Sequence, residues 1–183
     1  RRYCDTLTAM DRDIVRLLDF VDQEQLRDNT VVMYLGDNGM QWGTHDCLGI
    51  REPYEVSIRL PFIVRAPWLI EEPGERRQQM ALNLDIAPTM LGFAGLPIPP
   101  DMDGESLVPF LADPEIQGRE HFLLEFWRYF PENTPSYTGV RTDRYKYVEF
   151  ERGMDPSLFE LQNDHVYHTN QDDNPEGNQI LPA

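Results

Sequence analysis

The sequence predicts an α/β protein that ends in a small antiparallel sheet. Three observations carry this expectation: a helical apolar repeat over about residues 6 to 26, a short apolar run at Val31–Leu35 directly after it, and four aromatic-rich runs of strand length beyond residue 115. The change of texture divides the chain into an α/β part, 1–114, and a sheet part with a surface tail, 115–183.

Taken in order, Met10, Ile14, Leu17, Leu18 and Val21 repeat at helical spacing between Asp11, Arg12, Asp13 and Arg16, so the first helix packs on one face. Arg27-Asp28-Asn29-Thr30 is a polar break. The apolar run after it is too short for a helix and reads as an interior strand. Residues 36 to 55, with Gly36, Gly39, Gly43 and Gly49, read as a long loop, a feature that inside a compact domain is usually functional. Leu60–Val64 is a second buried strand, closed by Arg65-Ala66-Pro67. Residues 68 to 80 form a charged, solvated loop. Asp85 is placed to cap a short helix with Pro88 in its first turn, Met90, Leu91 and Ala94 facing inward, and Gly95 as its stop. The runs Phe122–Phe126, Tyr137–Arg141, Tyr145–Phe150 and Leu158–Leu161 then form strands, with turns at Asp143-Arg144 and Arg152-Gly153.

With 183 residues and 40% hydrophobic content, the chain is long enough for one good core. Its 32 acidic against 16 basic residues give a net charge of −16 and no basic footprint, which argues against nucleic acid and anionic membrane as partners. Surface charge does not settle substrate charge, because a bound divalent ion with a few local cations reverses the field inside a site. Two cysteines, Cys4 and Cys47, are too few for a disulfide framework. No apolar stretch has the length of a membrane span, and no Asn-x-Ser/Thr acceptor occurs, since Asn29 and Asn133 carry their threonines one place too early. The chain opens on Arg1-Arg2-Tyr3-Cys4 without an initiator methionine, so it is expected to be a piece of a longer protein.

The chemistry concentrates at Gly36-Asp37-Asn38-Gly39. Asp-Asn-Gly by itself is a turn signal. At the exit of a buried strand, however, it delivers a carboxylate and a carboxamide oxygen where open α/β proteins place ligands, a pair suited to one hard cation, Ca²⁺ or Mg²⁺, rather than to a two-zinc centre. His45, eight positions after Asp37, reads either as an exposed loop histidine or as a residue of the same pocket. Arg51 either binds an anion or pairs with Glu52, Glu55 and the surrounding acids; Arg59 and Arg65, flanking the second strand, read as structural ion pairs. Cys47 has no base beside it and reads as inert, and His121, His165 and His168 read as surface residues.

These segments together resemble the carboxyl-terminal half of a type I sulfatase of the alkaline-phosphatase-like superfamily. The resemblance rests on Gly36-Asp37-Asn38-Gly39, Gly43-Thr44-His45, Tyr54-Glu55 through Ile58-Arg59-Leu60-Pro61, Asp85-Ile86-Ala87-Pro88-Thr89, Asp103-Gly104-Glu105-Ser106-Leu107, Val140-Arg141-Thr142-Asp143-Arg144-Tyr145-Lys146-Tyr147 and Leu158-Phe159-Glu160-Leu161-Gln162-Asn163-Asp164. The Arg-Thr-Asp-Arg-Tyr-Lys-Tyr segment is most similar to bacterial relatives of the glucosamine-6-sulfatases.

The resemblance implies part of an α/β/α sandwich followed by a four-stranded antiparallel subdomain. It also implies a mechanism in which a formylglycine hydrate attacks sulfur beside a Ca²⁺ or Mg²⁺ ion. It gives Asp37 and Asn38 as metal ligands and His45 as a catalytic pocket residue, and it makes a sulfate ester the substrate, a sulfated sugar being one candidate. The family's front half, with the nucleophile, is absent, so this chain alone is expected to be inactive. The family's sulfate-binding lysine falls at Ile50, leaving Arg51 as the nearest substrate-binding cation. Two rival expectations remain: a non-catalytic sulfatase-like binding module, and a phosphodiester or phosphonate hydrolase of the same superfamily. An unpaired sheet edge and an uncovered apolar face predict self-association of the isolated chain.

Overall fold

The computed structural model describes residues 2–43, 48–128, 134–151 and 156–161. The architecture is mixed α/β, with a helical region followed by a small antiparallel sheet, and its residues group into two compact units. The first unit comprises Arg1–Tyr34, Ile63–Gln78 and Leu84–Ile116; the second comprises Leu35–Phe62, Gln79–Asn83 and Gln117–Ala183.

In the first unit, helix α1 spans Arg2–Gln23. It starts and stops earlier than the apolar repeat suggests, because Gln25 takes φ 59° and the chain closes with Leu26 N–H donating to Val21 O at 2.9 Å. This is a helix stop of the kind usually built on glycine. Only Val21 of the expected apolar face is buried, while Met10 and Leu17 are exposed. The helix meets the rest of its unit at Met10, whose Sδ accepts from the Tyr34 hydroxyl at 3.9 Å, and at its end, where Asp22 accepts from Arg65 at 2.5 Å. Arg65 thus forms the structural pair its position predicted.

Strands β1 (Val32–Leu35) and β4 (Phe62–Arg65) pair as a two-stranded sheet. Neither is fully buried as expected; Ile63 is 61% exposed. Helix α3 (Ile86–Phe93) follows a 3-10 turn at Asn83–Asp85. Asp85 occupies the cap position without capping; its buried carboxylate instead accepts Glu105 N–H at 2.9 Å. Four residues on, buried Thr89 Oγ1 accepts Leu107 N–H at 2.8 Å, so one face of α3 holds the 103–107 segment through two side chains.

Gly104 is required here, since a Cβ would stand 2.1 Å from Leu84 O. The inward face of α3 is therefore Pro88 and Thr89, and Met90 and Ala94 point outward, contrary to the apolar pattern, because backbone satisfaction outweighs hydrophobicity at this turn. Gly95, at φ +66°, ends the helix as expected. Helix α4 (Val108–Ala112) was not foreseen; Arg77 caps its end by donating to Phe110 O and Leu111 O.

In the second unit, the long loop contains more order than expected. Strands β2 (Gln41–Trp42) and β3 (Leu48–Gly49) pair antiparallel, and α2 is a single turn at Glu55–Ile58. Strands β5 (His121–Phe126), β6 (Tyr137–Thr142), β7 (Tyr145–Phe150) and β8 (Ser157–Glu160) form the expected antiparallel meander in chain order. The β6–β7 turn lies at Asp143-Arg144 as predicted. The Thr142 hydroxyl closes it, accepting from Tyr145 N–H and donating to Tyr145 O. The other predicted turn, Arg152-Gly153, lies outside the described residues.

Register on the inner face of this sheet defines three rows. Phe126, Tyr137 and Phe150 make an aromatic row, and Leu124, Gly139, Val148 and Ser157 a small, tightly packed one. The third row is Phe122, Arg141, Lys146 and Phe159: two cations flanked by two rings, with Arg141 5.8 Å from the Phe122 centroid and Lys146 5.1 Å from that of Phe159.

Candidate functional site

The 36–39 loop is built on the backbone of α2. Gly36 N–H donates to Pro61 O at 3.3 Å, and Gly39 N–H donates to Ser57 O at 2.7 Å. A Cβ at Gly39 would lie 2.0 Å from Val56 O and 2.8 Å from Arg59 O, so this glycine is fixed by close backbone approach rather than by turn chemistry. Asn83 Nδ2 donates to Asp37 O at 3.0 Å and ties the loop from its other side.

Within the loop, Asp37 Oδ1 accepts Asn38 N–H at 3.0 Å, and Asn38 Nδ2 donates to Gly39 O at 2.7 Å. The second bond fixes which end of the amide is which: its nitrogen is engaged with the loop, and Asn38 Oδ1 takes no hydrogen bond from the described residues. Asp37 is exposed and Asn38 half-buried. Two oxygen donors of this kind fit a hard divalent cation in chemistry. Among the described residues no cluster of three or more His, Cys, Asp or Glu completes a coordination shell. His45 and Cys47 lie outside the described residues.

Arg51 is half-buried, and its backbone carbonyl accepts from the Tyr137 hydroxyl at 2.9 Å. Burial, with Glu52 nearby, pushes the Tyr137 phenol up to about 12, so it remains a donor across the physiological range. Glu52 is engaged structurally, accepting from Gln41 Nε2 at 3.0 Å and from Thr134 Oγ1 at 3.2 Å. Gln41, wholly buried, also donates to Ser57 Oγ at 2.9 Å. Its neighbour Trp42 is 65% exposed, so this ribbon turns its amide in and its indole out.

Glu55 opens α2 and meets two cations of the sheet: Lys146 Nζ lies 3.2 Å from Oε1 and Arg141 Nη2 3.2 Å from Oε2. Lys146 is the only lysine in the chain and is completely buried. Burial of the Glu55 carboxyl works against its ionisation, but Lys146 and Arg141 outweigh it and hold the carboxyl below its usual range. Burial brings Lys146 down to about 8 in spite of Glu55.

Sequence reasoning missed this triad. One signal was present: strand alternation puts Lys146 on the same face as the apolar Val148 and Phe150.

This mixed α/β body, with its strand-exit Gly-Asp-Asn-Gly loop and terminal four-stranded meander, is the carboxyl-terminal portion of a type I, alkaline-phosphatase-like sulfatase fold. More specifically, residues 43–182 match the family model described as N-sulphoglucosamine sulphohydrolase, C-terminal, and the chain belongs to that family. It is 33% identical over 159 residues to an N-acetylglucosamine-6-O-sulfatase of Bacteroides thetaiotaomicron, covering 85% of this chain and 28% of the relative.

Among solved structures, a protein in complex with its substrate D-glucosamine-2-N,6-O-disulfate matches with a TM-score of 0.81 at 29% identity, over 90% of this chain and 34% of that one. A phosphonate monoester hydrolase from Silicibacter pomeroyi matches with a TM-score of 0.75 at 25% identity, over 91% and 35%. The chain therefore spans about a third of the length of these three proteins.

Proposed function

We propose that this chain is the carboxyl-terminal part of a sulfuric ester hydrolase, in which Asp37 and Asn38 supply two oxygen ligands to a Ca²⁺ or Mg²⁺ ion. The observation that carries the reading is the bond from Asn38 Nδ2 to Gly39 O, which engages the nitrogen of the carboxamide rather than its oxygen, next to an exposed carboxylate at Asp37. When bound, such an ion offsets the charge on the sulfate oxygens as the ester bond breaks. On the family resemblance we assign His45 a role on the sulfate or leaving-group side, and Arg51 the role of the cation that Ile50 cannot supply. The formylglycine nucleophile belongs to the front half of the fold, so residues 1–183 alone turn over no substrate.

The proposed division into an α/β part, 1–114, and a sheet part, 115–183, rests on the change of sequence texture near residue 115. Leu17 and Phe20, each 55% exposed on α1, are surfaces that the front half would cover, and their exposure makes the isolated chain prone to self-association. The substrate class is a 6-O-sulfated glucosamine, by similarity to the relatives named above. A second reading, phosphonate monoester hydrolysis, is favoured by the likeness to the Silicibacter enzyme.

Assay of the full-length protein on glucosamine 6-sulfate, an aryl sulfate and an aryl phosphonate monoester separates these. We expect sulfate-ester hydrolysis that a chelator abolishes and that Asp37→Ala or Asn38→Ala lowers by at least 10–100-fold, the order of loss caused even by groups that only support a metal site. Preference for the phosphonate ester installs the second reading. Failure on all three substrates leaves a non-catalytic binding module.

A further inference from the structure

We propose that Glu55 is the positioning residue through which the carboxyl-terminal sheet sets the backbone of the 37–39 loop; this rests on the reading of Asp37 and Asn38 as metal ligands. All the residues involved belong to the second compact unit.

The connection is short and made of few contacts. Lys146 and Arg141, neighbours across β6 and β7, each place a nitrogen 3.2 Å from one Glu55 oxygen. Both carboxylate oxygens are thus held, which fixes the side chain in rotation as well as in position. Glu55 is the first residue of α2, a single turn of four residues whose own hydrogen bonds are too few to define its place. Two residues on, Ser57 O receives Gly39 N–H at 2.7 Å, and the glycine lies so close to Val56 O that the loop cannot shift without α2 shifting. From sheet to ligand loop the path is therefore side chain, one helical turn, one backbone hydrogen bond.

Its chemistry is suited to location rather than to bulk stability. A buried ion pair generally yields little net stability over an apolar packing of the same volume, and its best-attested use is to select one geometry among alternatives. Lys146 is the chain's sole lysine, is wholly buried, and is aimed at the turn that carries Gly39. Apolar side chains at these three positions would fill the space but would leave α2 free to slide along the sheet.

The test is the Glu55→Gln/Lys146→Met double variant of the full-length protein, which removes one charge of each sign. Two readouts are taken: Ca²⁺ affinity by titration calorimetry, and hydrogen exchange at the Gly39 amide. The expected result is affinity 10–100-fold weaker than wild type, the usual loss when a group supporting a metal site is removed, and faster exchange at Gly39 with the β5–β7 amides unchanged. Wild-type affinity and wild-type Gly39 protection in a folded double variant overturn the proposal.

If the unaltered protein takes up no Ca²⁺ or Mg²⁺, the ligand reading of Asp37 and Asn38 fails by itself, and Gly39 exchange alone then decides whether Glu55 sets the loop. Should the double variant not fold, Arg141→Met, which keeps the Lys146–Glu55 pair, takes its place. Faster Gly39 exchange there supports the proposal, and an unchanged rate sinks it.

Discussion

Lys146 Nζ sits 3.2 Å from Glu55 Oε1 although the two residues are 91 positions apart, and this contact joins the terminal sheet to the turn on which the candidate ligand loop rests. Arg141 completes it from the adjacent strand.

Glu55→Gln should cost more stability than Lys146→Met. The first leaves two cations facing a neutral amide, whereas the second leaves Glu55 paired with Arg141. Breaking a buried pair from one side costs about 3–5 kcal/mol, and we expect Glu55→Gln in that range and Lys146→Met below it. Urea unfolding midpoints of the two variants give the order directly; the reverse order would show that Arg141 does not hold Glu55.

Stability should depend on pH in two windows. The Glu55 carboxyl lies below its ordinary value of 4.5, so its contribution is fully present above that value and is lost as pH falls through the lowered one. Lys146 titrates at about 8 when folded against 10.5 ordinarily. Between those values the unfolded chain holds a proton that the folded protein has released, so stability rises with pH there. Denaturation between pH 7 and 11 should show this rise in the unaltered protein and not in Lys146→Met.

Gly39→Ala should destabilise the loop by about 1–3 kcal/mol or more, as overpacking does, because its Cβ would overlap the Val56 carbonyl. The effect belongs to residues 36–39 and 55–59. Exchange mapping should locate it there, with the meander intact; uniform loss across the sheet would contradict the local clash.

Gln25→Gly should stabilise the chain by about 1 kcal/mol, since Gln25 holds φ 59° to end α1 and glycine meets no such cost. Thermal unfolding checks this, and an unchanged or lower midpoint would mean that the Gln25 side chain makes a compensating contribution.

The elements that were legible in the sequence are those whose pattern is local. Tyr145–Phe150 alternates, Thr142-Asp143-Arg144-Tyr145 turns, and the meander followed from these alone. Gly95 marked the end of α3 because only a residue at ease at positive φ belongs there. Reading failed where a distant partner decided the outcome: Asp85 gave up its cap role for Glu105 N–H, and Thr89 displaced Met90 as the inward residue in order to bind Leu107 N–H.

By itself the sequence determined the α/β class, the terminal meander, and the presence of a carboxylate and a carboxamide together after an apolar strand. Short-range steric and hydrogen-bonding preferences suffice for those. Only the tertiary structure decided that Gly39 is needed for its closeness to Val56 and that Glu55 faces Lys146 and Arg141 rather than a neighbouring arginine. Those facts depend on groups distant in sequence meeting where water is excluded, and there an unmatched charge or an extra methyl group costs enough to select a single arrangement.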